Sequence, residues 1–139
     1  FSKQREVPFA GLPVFIESPT DAAVLRTLAE NMGCGVYEMD SASRRYLHLA
    51  AVFACNFSNH MYDVCARVLA RKGIPFEVML PLIDETARKV HALTPREAQT
   101  GPAVRYDQTV MQRHLDLLED EDLKQIYNLL SQHIHQYTL

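Results

Sequence analysis

The sequence predicts a mainly α-helical chain: a short strand-helix-strand piece over residues 1–40, then an all-helical bundle over residues 41–139. Three observations carry that prediction. Two short runs, "LPVFIES" and "GVYEMD", flank one segment with apolar residues at helical spacing. From Ser41 the chain meets neither Pro nor Gly until Gly73. Beyond Pro75, apolar seams of helical period recur between polar breaks.

The segment from Phe1 to Gly11 reads as irregular, with Pro8 and Gly11 as breakers. Leu12 to Ser18 is rich in Val, Phe and Ile, which suits a strand. Ser18 or Thr20 can cap the next helix, Asp21 favours its first turn, and Gly33 or Gly35 ends it. Ala22, Leu25, Leu28, Ala29 and Met32 mark its apolar face. Gly35 to Asp40 is the second strand, and a parallel pair with a right-handed crossover is the expected geometry. Two strands and one helix cannot cover both faces of a parallel sheet. Either more strands precede Phe1, or the piece packs on the helices beyond Ser41.

Ser41 to Gly73 reads as one long helix with a wide stripe of apolar and small residues from Leu47 to Val68. A further helix begins near Pro75 and carries Pro81 as a bend in its first half. After Thr94-Pro95 and a Thr-Gly-Pro segment come two helices, Asp107 to Leu118 with Asp107 as cap, and Asp120 to Tyr137. In the last, Leu123, Ile126, Tyr127, Leu130 and Ile134 form the seam, and the acidic "EDEDL" suits a helix start.

Bulk numbers exclude several function classes. The 139 residues suffice for one domain of common size, and 47% hydrophobic with 22% charged residues is ordinary globular composition. A formal net charge of -3 supplies no polycationic field, so nucleic acid is not expected as the partner. No apolar run approaches the roughly 20 residues that cross a bilayer. Cys34, Cys55 and Cys65 form no CxxC pair; an odd, sparse set favours a reducing compartment, hence the cytoplasm. Cys55 and Cys65 are expected to be buried, inert thiols. No secretory signal is expected at the start, and a chain that opens on Phe reads as processed, trimmed or partial.

Few residue patterns carry chemistry unaided. There is no GxGxxG after a strand, no phosphate loop with Lys-Ser/Thr and no HExxH. His133 and His135 lie about 200° apart on a helix, so they are not expected to share a metal, and no metal site is expected. His48 and Asn56 are eight residues apart, a little over two turns, so they share roughly one face of the long helix. A His can move protons near neutral pH, and an Asn can hold a carbonyl or hydroxyl. The same two residues also read as a packed His and a backbone-bonded Asn.

The stretch "EAQTGPAVRYDQTVMQRHL" gathers more polar groups than a turn requires. Gly101 suits a positive φ or a close backbone approach, Pro102 stiffens the residues after it, and Thr100 offers a hydroxyl. Arg105 offers a planar fork for a carboxylate or phosphate. Asp107 can pair with Arg105 or cap the helix carrying His114, so a tight turn stapled by an Arg-Asp pair explains the segment as well. Arg44, Arg45 and Tyr46, at a helix start, read as a solvated or partner-facing patch.

At these residues the chain resembles a known family. "YLHLAAVFACN", a long helix and then "ALT…AQTGPAVRYD…RHL" are similar to the C-terminal half of NAD(P)-binding oxidoreductases. In these, a Rossmann domain precedes a helical domain long catalogued only as of unknown function. The wider group resembles pyrroline-5-carboxylate reductase, ketopantoate reductase and the 6-phosphogluconate dehydrogenase-like β-hydroxyacid dehydrogenases. The resemblance covers nearly the whole chain. It implies that residues 1–40 are the C-terminal remnant of a Rossmann-like domain. Residues 41–139 would then be a helical substrate and dimerisation domain of the 6-phosphogluconate dehydrogenase C-terminal-like type.

The family's His and Asn fall on His48 and Asn56. Its Thr-Gly-Pro, Arg and Asp fall on Thr100, Gly101, Pro102, Arg105 and Asp107, and its following His on His114. The resemblance thus implies His48 as acid/base, with Asn56, Thr100, Gly101, Arg105, Asp107 and His114 on the substrate, and the Thr-Gly-Pro segment near the long helix. Two departures stand out: Tyr106 replaces a small residue, and the Lys of related β-hydroxyacid dehydrogenases is absent, with His48 as the substitute. The implied cofactor is NADP or NAD, bound mainly by a segment upstream of Phe1, so this chain alone would be inactive. The implied partners are a small carbonyl, imine or hydroxy-acid substrate and a second copy paired through the long helix. The competing expectation is a non-catalytic helical dimerisation or interaction module.

Overall fold

A computed structural model describes residues 7–138. Helix dominates, with one two-stranded sheet among the described residues, so the chain is mainly α with a short strand-helix-strand piece at its start. It divides into two units, residues 1–73 and 74–139. The irregular opening expected from Phe1 lies partly outside the described residues.

In the first unit β1 (Pro13–Ile16) leads through α1 (Ala22–Asn31) to β2 (Gly35–Glu38). The strands pair in parallel, with Pro13 opposite Gly35 and Ile16 opposite Glu38. Local chemistry sets the bounds of α1. The Ser18 hydroxyl accepts from the Asp21 N–H at 2.9 Å, and Gly33 at φ 77° turns the chain out of the helix, a conformation that costs a Cβ-bearing residue about 1 kcal/mol or more. The core of this unit is small: Ile16, Ala29 and Cys34 are buried. The short side chain of Ala29 brings α1 close to the sheet, and the Cys34 thiol donates to the Phe9 carbonyl at 3.4 Å.

The long helix is not continuous. It runs as α2 (Ser41–Ala51), a π-helical turn (Val52–Phe57) and α3 (Ser58–Ala70). The π turn is not legible in the sequence because "VFACNF" carries no Pro or Gly to mark a break and periodicity does not register one extra residue. A π turn absorbs one residue beyond the α repeat and is found mostly as such single-turn bulges. The Ser58 hydroxyl reaches back to the Phe53 carbonyl five residues earlier, at 3.5 Å. Phe53 and Phe57 meet edge to face with centroids 5.0 Å apart. Cys55, on this turn, is exposed and Cys65 half-buried, so only Cys34 is a buried thiol.

Arg44 corrects another expectation. Its guanidinium donates to the Met39 carbonyl at 2.8 Å, to the Ser41 hydroxyl at 2.6 Å and to the Glu17 carboxylate. Ser41 also donates to Glu17 at 2.6 Å. Glu17 follows β1 and Met39 follows β2, so this cluster ties the C-terminal ends of both strands to the first turn of α2. Asp40 caps the same turn by accepting from the Ser43 N–H at 2.6 Å. The hydrogen bond from Ser41 and the charge of Arg44 hold the Glu17 carboxyl below its usual range. The bonds from Ser43 do the same for Asp40. A carboxyl lowered in the folded state contributes stability above its unfolded value and loses it as pH falls through the folded value. The thermal midpoint is therefore expected to fall once pH drops below about 4.5, the ordinary glutamate value. Glu17→Gln should lower the neutral-pH midpoint and shrink that acid-dependent fall; equal slopes in both proteins would show the cluster to be inert.

The second unit opens with a 3₁₀ turn (Phe76–Met79) that passes into α4 (Leu80–Lys89). Pro81 sits in the first turn of α4, where its missing N–H costs nothing, so it starts a helix and does not bend one. A short α5 (Pro95–Ala98) is held by a reciprocal capping box between Thr94 and Glu97, whose bonds lower the Glu97 carboxyl from its usual range. Then come α6 (Gln108–Leu117) and α7 (Glu121–Thr138). No helix among the described residues is long and apolar enough to cross a membrane.

Candidate functional site

His48 and Asn56 belong to the first unit; Thr100, Gly101, Arg105, Asp107 and His114 belong to the second. His48 lies one turn after Arg44, so the cluster that ties α2 to the strand ends also sets the helix from which His48 projects. Both His48 and Asn56 are exposed. Neither side chain has a hydrogen-bond partner among the described residues, where the packed alternative required an Asn bonded to backbone. The π turn alters their relation. In an unbroken α-helix eight residues rotate by about 800°, leaving the two roughly 80° apart. With one residue absorbed by the bulge, eight residues travel as about seven, or roughly 700°, within about 20° of one line. Asn56 is on the bulge itself.

In the second unit a loop of fixed backbone carries the other groups. Gly101 has φ 113°, a value that only glycine adopts readily. Ala103 is buried and anchors the loop. The Asp107 N–H donates to the Pro102 carbonyl at 2.9 Å, and the Tyr106 N–H to the Ala103 carbonyl at 3.1 Å. Asp107 caps α6, its Oδ1 accepting from the Val110 N–H at 3.1 Å. One of its oxygens is therefore committed to the backbone. The Arg-Asp staple does not form: Arg105 is exposed and has neither hydrogen bond nor ion pair among the described residues. A rigid loop thus presents an unpaired guanidinium to solvent, suited to a planar oxyanion. Thr100 is exposed, and its carbonyl accepts from the Gln99 amide at 3.0 Å.

Tyr106, the bulky residue of the loop, takes φ 51°, the only positive φ outside glycine among the described residues. Its ring stacks on His135 of α7 with centroids 4.3 Å apart. The His135 Nδ1 is buried there without a partner. Left-handed backbone costs such a residue about 1–2 kcal/mol, and an aromatic pair returns about 0.5–1.5 kcal/mol. Tyr106→Ala keeps the strain and loses the stack, so it should cost about 0.5–1.5 kcal/mol. Tyr106→Gly should recover about 1 kcal/mol of that loss by freeing the backbone. Denaturant unfolding of both variants checks the order.

His114 lies in the last turn of α6, exposed, and its Nδ1 is 2.8 Å from the Tyr127 hydroxyl on α7. The rings meet edge to face at 5.8 Å. Sequence reading placed Tyr127 in the apolar seam and missed this contact; the three-residue link between α6 and α7, which folds the helices back on each other, was the available signal. No group of three or more His, Cys, Asp or Glu able to hold a metal occurs among the described residues.

Comparison with known proteins gives three findings. A family described as a domain of unknown function, DUF2520, matches residues 12–134. No curated protein matches the chain. Among solved structures, one described as a "putative NADP oxidoreductase" from Bacteroides fragilis is 55% identical, with a TM-score of 0.92. The match covers 98% of this chain and 54% of that one, so the chain spans about half the length of its structural relative.

Proposed function

Because the chain belongs to the DUF2520 family, we propose that it is the C-terminal part of an oxidoreductase that moves hydride between NADP, or NAD, and a small carbonyl, imine or hydroxy acid. The observation that carries this reading is the 55% identity, over nearly the whole chain, to a structure whose description names an NADP oxidoreductase. Residues 1–40 are then the end of a Rossmann-like domain. Two features support that assignment: a parallel pair with few strands, and an outer face of α1 where Val24 and Leu28 are 68% and 58% exposed. Residues 41–139 form the substrate and dimerisation domain, of the 6-phosphogluconate dehydrogenase C-terminal-like type.

In this reading the cofactor supplies the hydride chemistry, and its phosphates and ribose are held mainly by residues outside this chain. This chain binds, orients and protonates. His48 is the acid/base at the reacting oxygen or nitrogen, and Asn56 holds the same group from the bulge of the long helix. Arg105 clamps a carboxylate or phosphate of the substrate, with Thr100 and His114 adding hydrogen bonds. Gly101 lets the backbone approach closely, and Asp107 fixes the helix that carries His114. Alone, the chain is inactive. Free, unpaired thiols fit a cytoplasmic setting.

The test is titration of the longer polypeptide containing this chain with NADPH and NADH, followed by oxidation of the reduced cofactor against a panel of small ketones, imines and keto acids. Saturable NADPH binding with turnover of at least one substrate class is expected; no binding of either nucleotide would end the oxidoreductase reading. A second reading, a non-catalytic dimerisation module, is favoured by exposed apolar residues along the long helix. Leu49, Phe53, Phe57 and Val68 are each more than 40% exposed. The two readings share a homodimer formed through that helix, so sedimentation tests the pairing and nucleotide binding separates them.

A further inference from the structure

The contact between His114 and Tyr127 does more than close the hairpin of α6 and α7. The Tyr127 ring is half-buried and lies edge-on to an exposed His114, with the 2.8 Å bond falling on Nδ1. A phenolic O–H is a stronger donor than the N–H of a neutral imidazole, and an imidazole lone pair is a stronger acceptor than a phenol oxygen. The favoured arrangement therefore has Tyr127 donating to Nδ1, which leaves the imidazole proton on Nε2. If the ring becomes cationic, the hydroxyl can turn and accept from Nδ1–H, and Nε2 still carries a proton.

Resting on the proposed substrate role of His114, we infer that Tyr127 is a positioning residue that fixes His114 as an Nε2–H donor, so that this imidazole recognises an acceptor oxygen, carboxylate or carbonyl, on the substrate. His114 does not serve as the base, because its one available nitrogen keeps its proton in both charge states. The division of labour follows: proton transfer falls to His48, and His114 joins Arg105 and Thr100 as a binding group. No other described side chain bonds His114, so its tautomer depends on Tyr127 alone.

The experiment uses the full chain labelled with ¹⁵N histidine, with two-bond proton-nitrogen correlation in mildly alkaline solution. Wild-type His114 is expected as the Nε2–H tautomer with Nδ1 accepting a hydrogen bond. In Tyr127→Phe, which keeps the ring, both tautomers should appear. An Nδ1–H form in the wild-type protein, or an unchanged pattern in the variant, overturns the inference; the wild-type spectrum decides even if the variant folds poorly. Acetate, as a carboxylate probe, is then titrated against the same resonances. Saturable shifts that weaken about 3- to 10-fold in Tyr127→Phe are expected, the range for one hydrogen bond. A fixed tautomer without acetate response overturns recognition by His114 but leaves the oxidoreductase reading standing, because nucleotide binding by the longer polypeptide tests that independently.

Discussion

Arg105→Ala is expected to weaken binding of a carboxylate- or phosphate-bearing ligand about 10- to 100-fold while leaving the thermal midpoint unchanged. Both halves rest on one observation. The guanidinium is exposed and has no partner among the described residues, so its removal breaks nothing in the fold. The loop beneath it is held instead by Gly101, the buried Ala103 and the Asp107 cap. Charge-assisted hydrogen bonds to a planar oxyanion contribute about 1.5–3 kcal/mol, which sets the size of the loss. Arg105→Lys keeps the charge and loses the fork, so it should fall between wild type and alanine. Added salt should weaken the wild type and scarcely affect the alanine variant, since exposed charges are screened within about 10 Å at 0.1 M ionic strength. Titration with acetate and inorganic phosphate provides the readout, and the KM for the proposed reaction of the longer polypeptide extends it. Lower stability with unchanged anion binding would make Arg105 a loop-forming residue and remove the main anion contact from the proposed site.

What could be read from residue order alone has a physical boundary. The strand-helix-strand piece was legible because its signals are local: a Val-Phe-Ile run, a serine three residues before an N–H it can accept from, and a glycine where φ must be positive. The Asp107 cap and the Gly101 turn were legible for the same reason. The Glu17–Ser41–Arg44 cluster was not, because its members are up to 27 residues apart and meet only when the strands are in register. Tyr127 was hidden by amphipathicity: its ring belongs to the apolar seam, and only its hydroxyl serves His114. Tyr106 could be flagged as an odd residue in its pattern, but its stack on His135 depends on where α7 runs.

If the proposed oxidoreductase activity holds, deleting Ala54 is expected to lower turnover by the longer polypeptide about 100-fold without reducing stability or changing oligomeric state. Ala54 sits on the π turn between Phe53 and Cys55 and offers only a methyl group. One residue fewer lets the segment close as ordinary α-helix, and the Ser58 hydroxyl then faces the Phe53 carbonyl one turn back at the common spacing. The bulge absorbs a single residue, so its removal keeps α2 and α3 in their mutual register. The apolar faces that would pair two copies are therefore preserved. The bearing of Asn56 from His48 is kept too, since seven α-helical residues turn by the same roughly 700°. What changes is the local backbone: Asn56 leaves the π turn and shifts by about an ångström, and misplacement of that size can cost about 100-fold when a group must meet a reacting atom. Sedimentation, thermal unfolding and turnover measured together separate the roles. Loss of activity with an unchanged oligomeric state and an unchanged or raised midpoint assigns the π turn to the display of Asn56. A change in oligomeric state would assign it to the proposed pairing face. Full activity after deletion would leave Asn56 with no special position, and the acid/base site would have to be built from His48 without it.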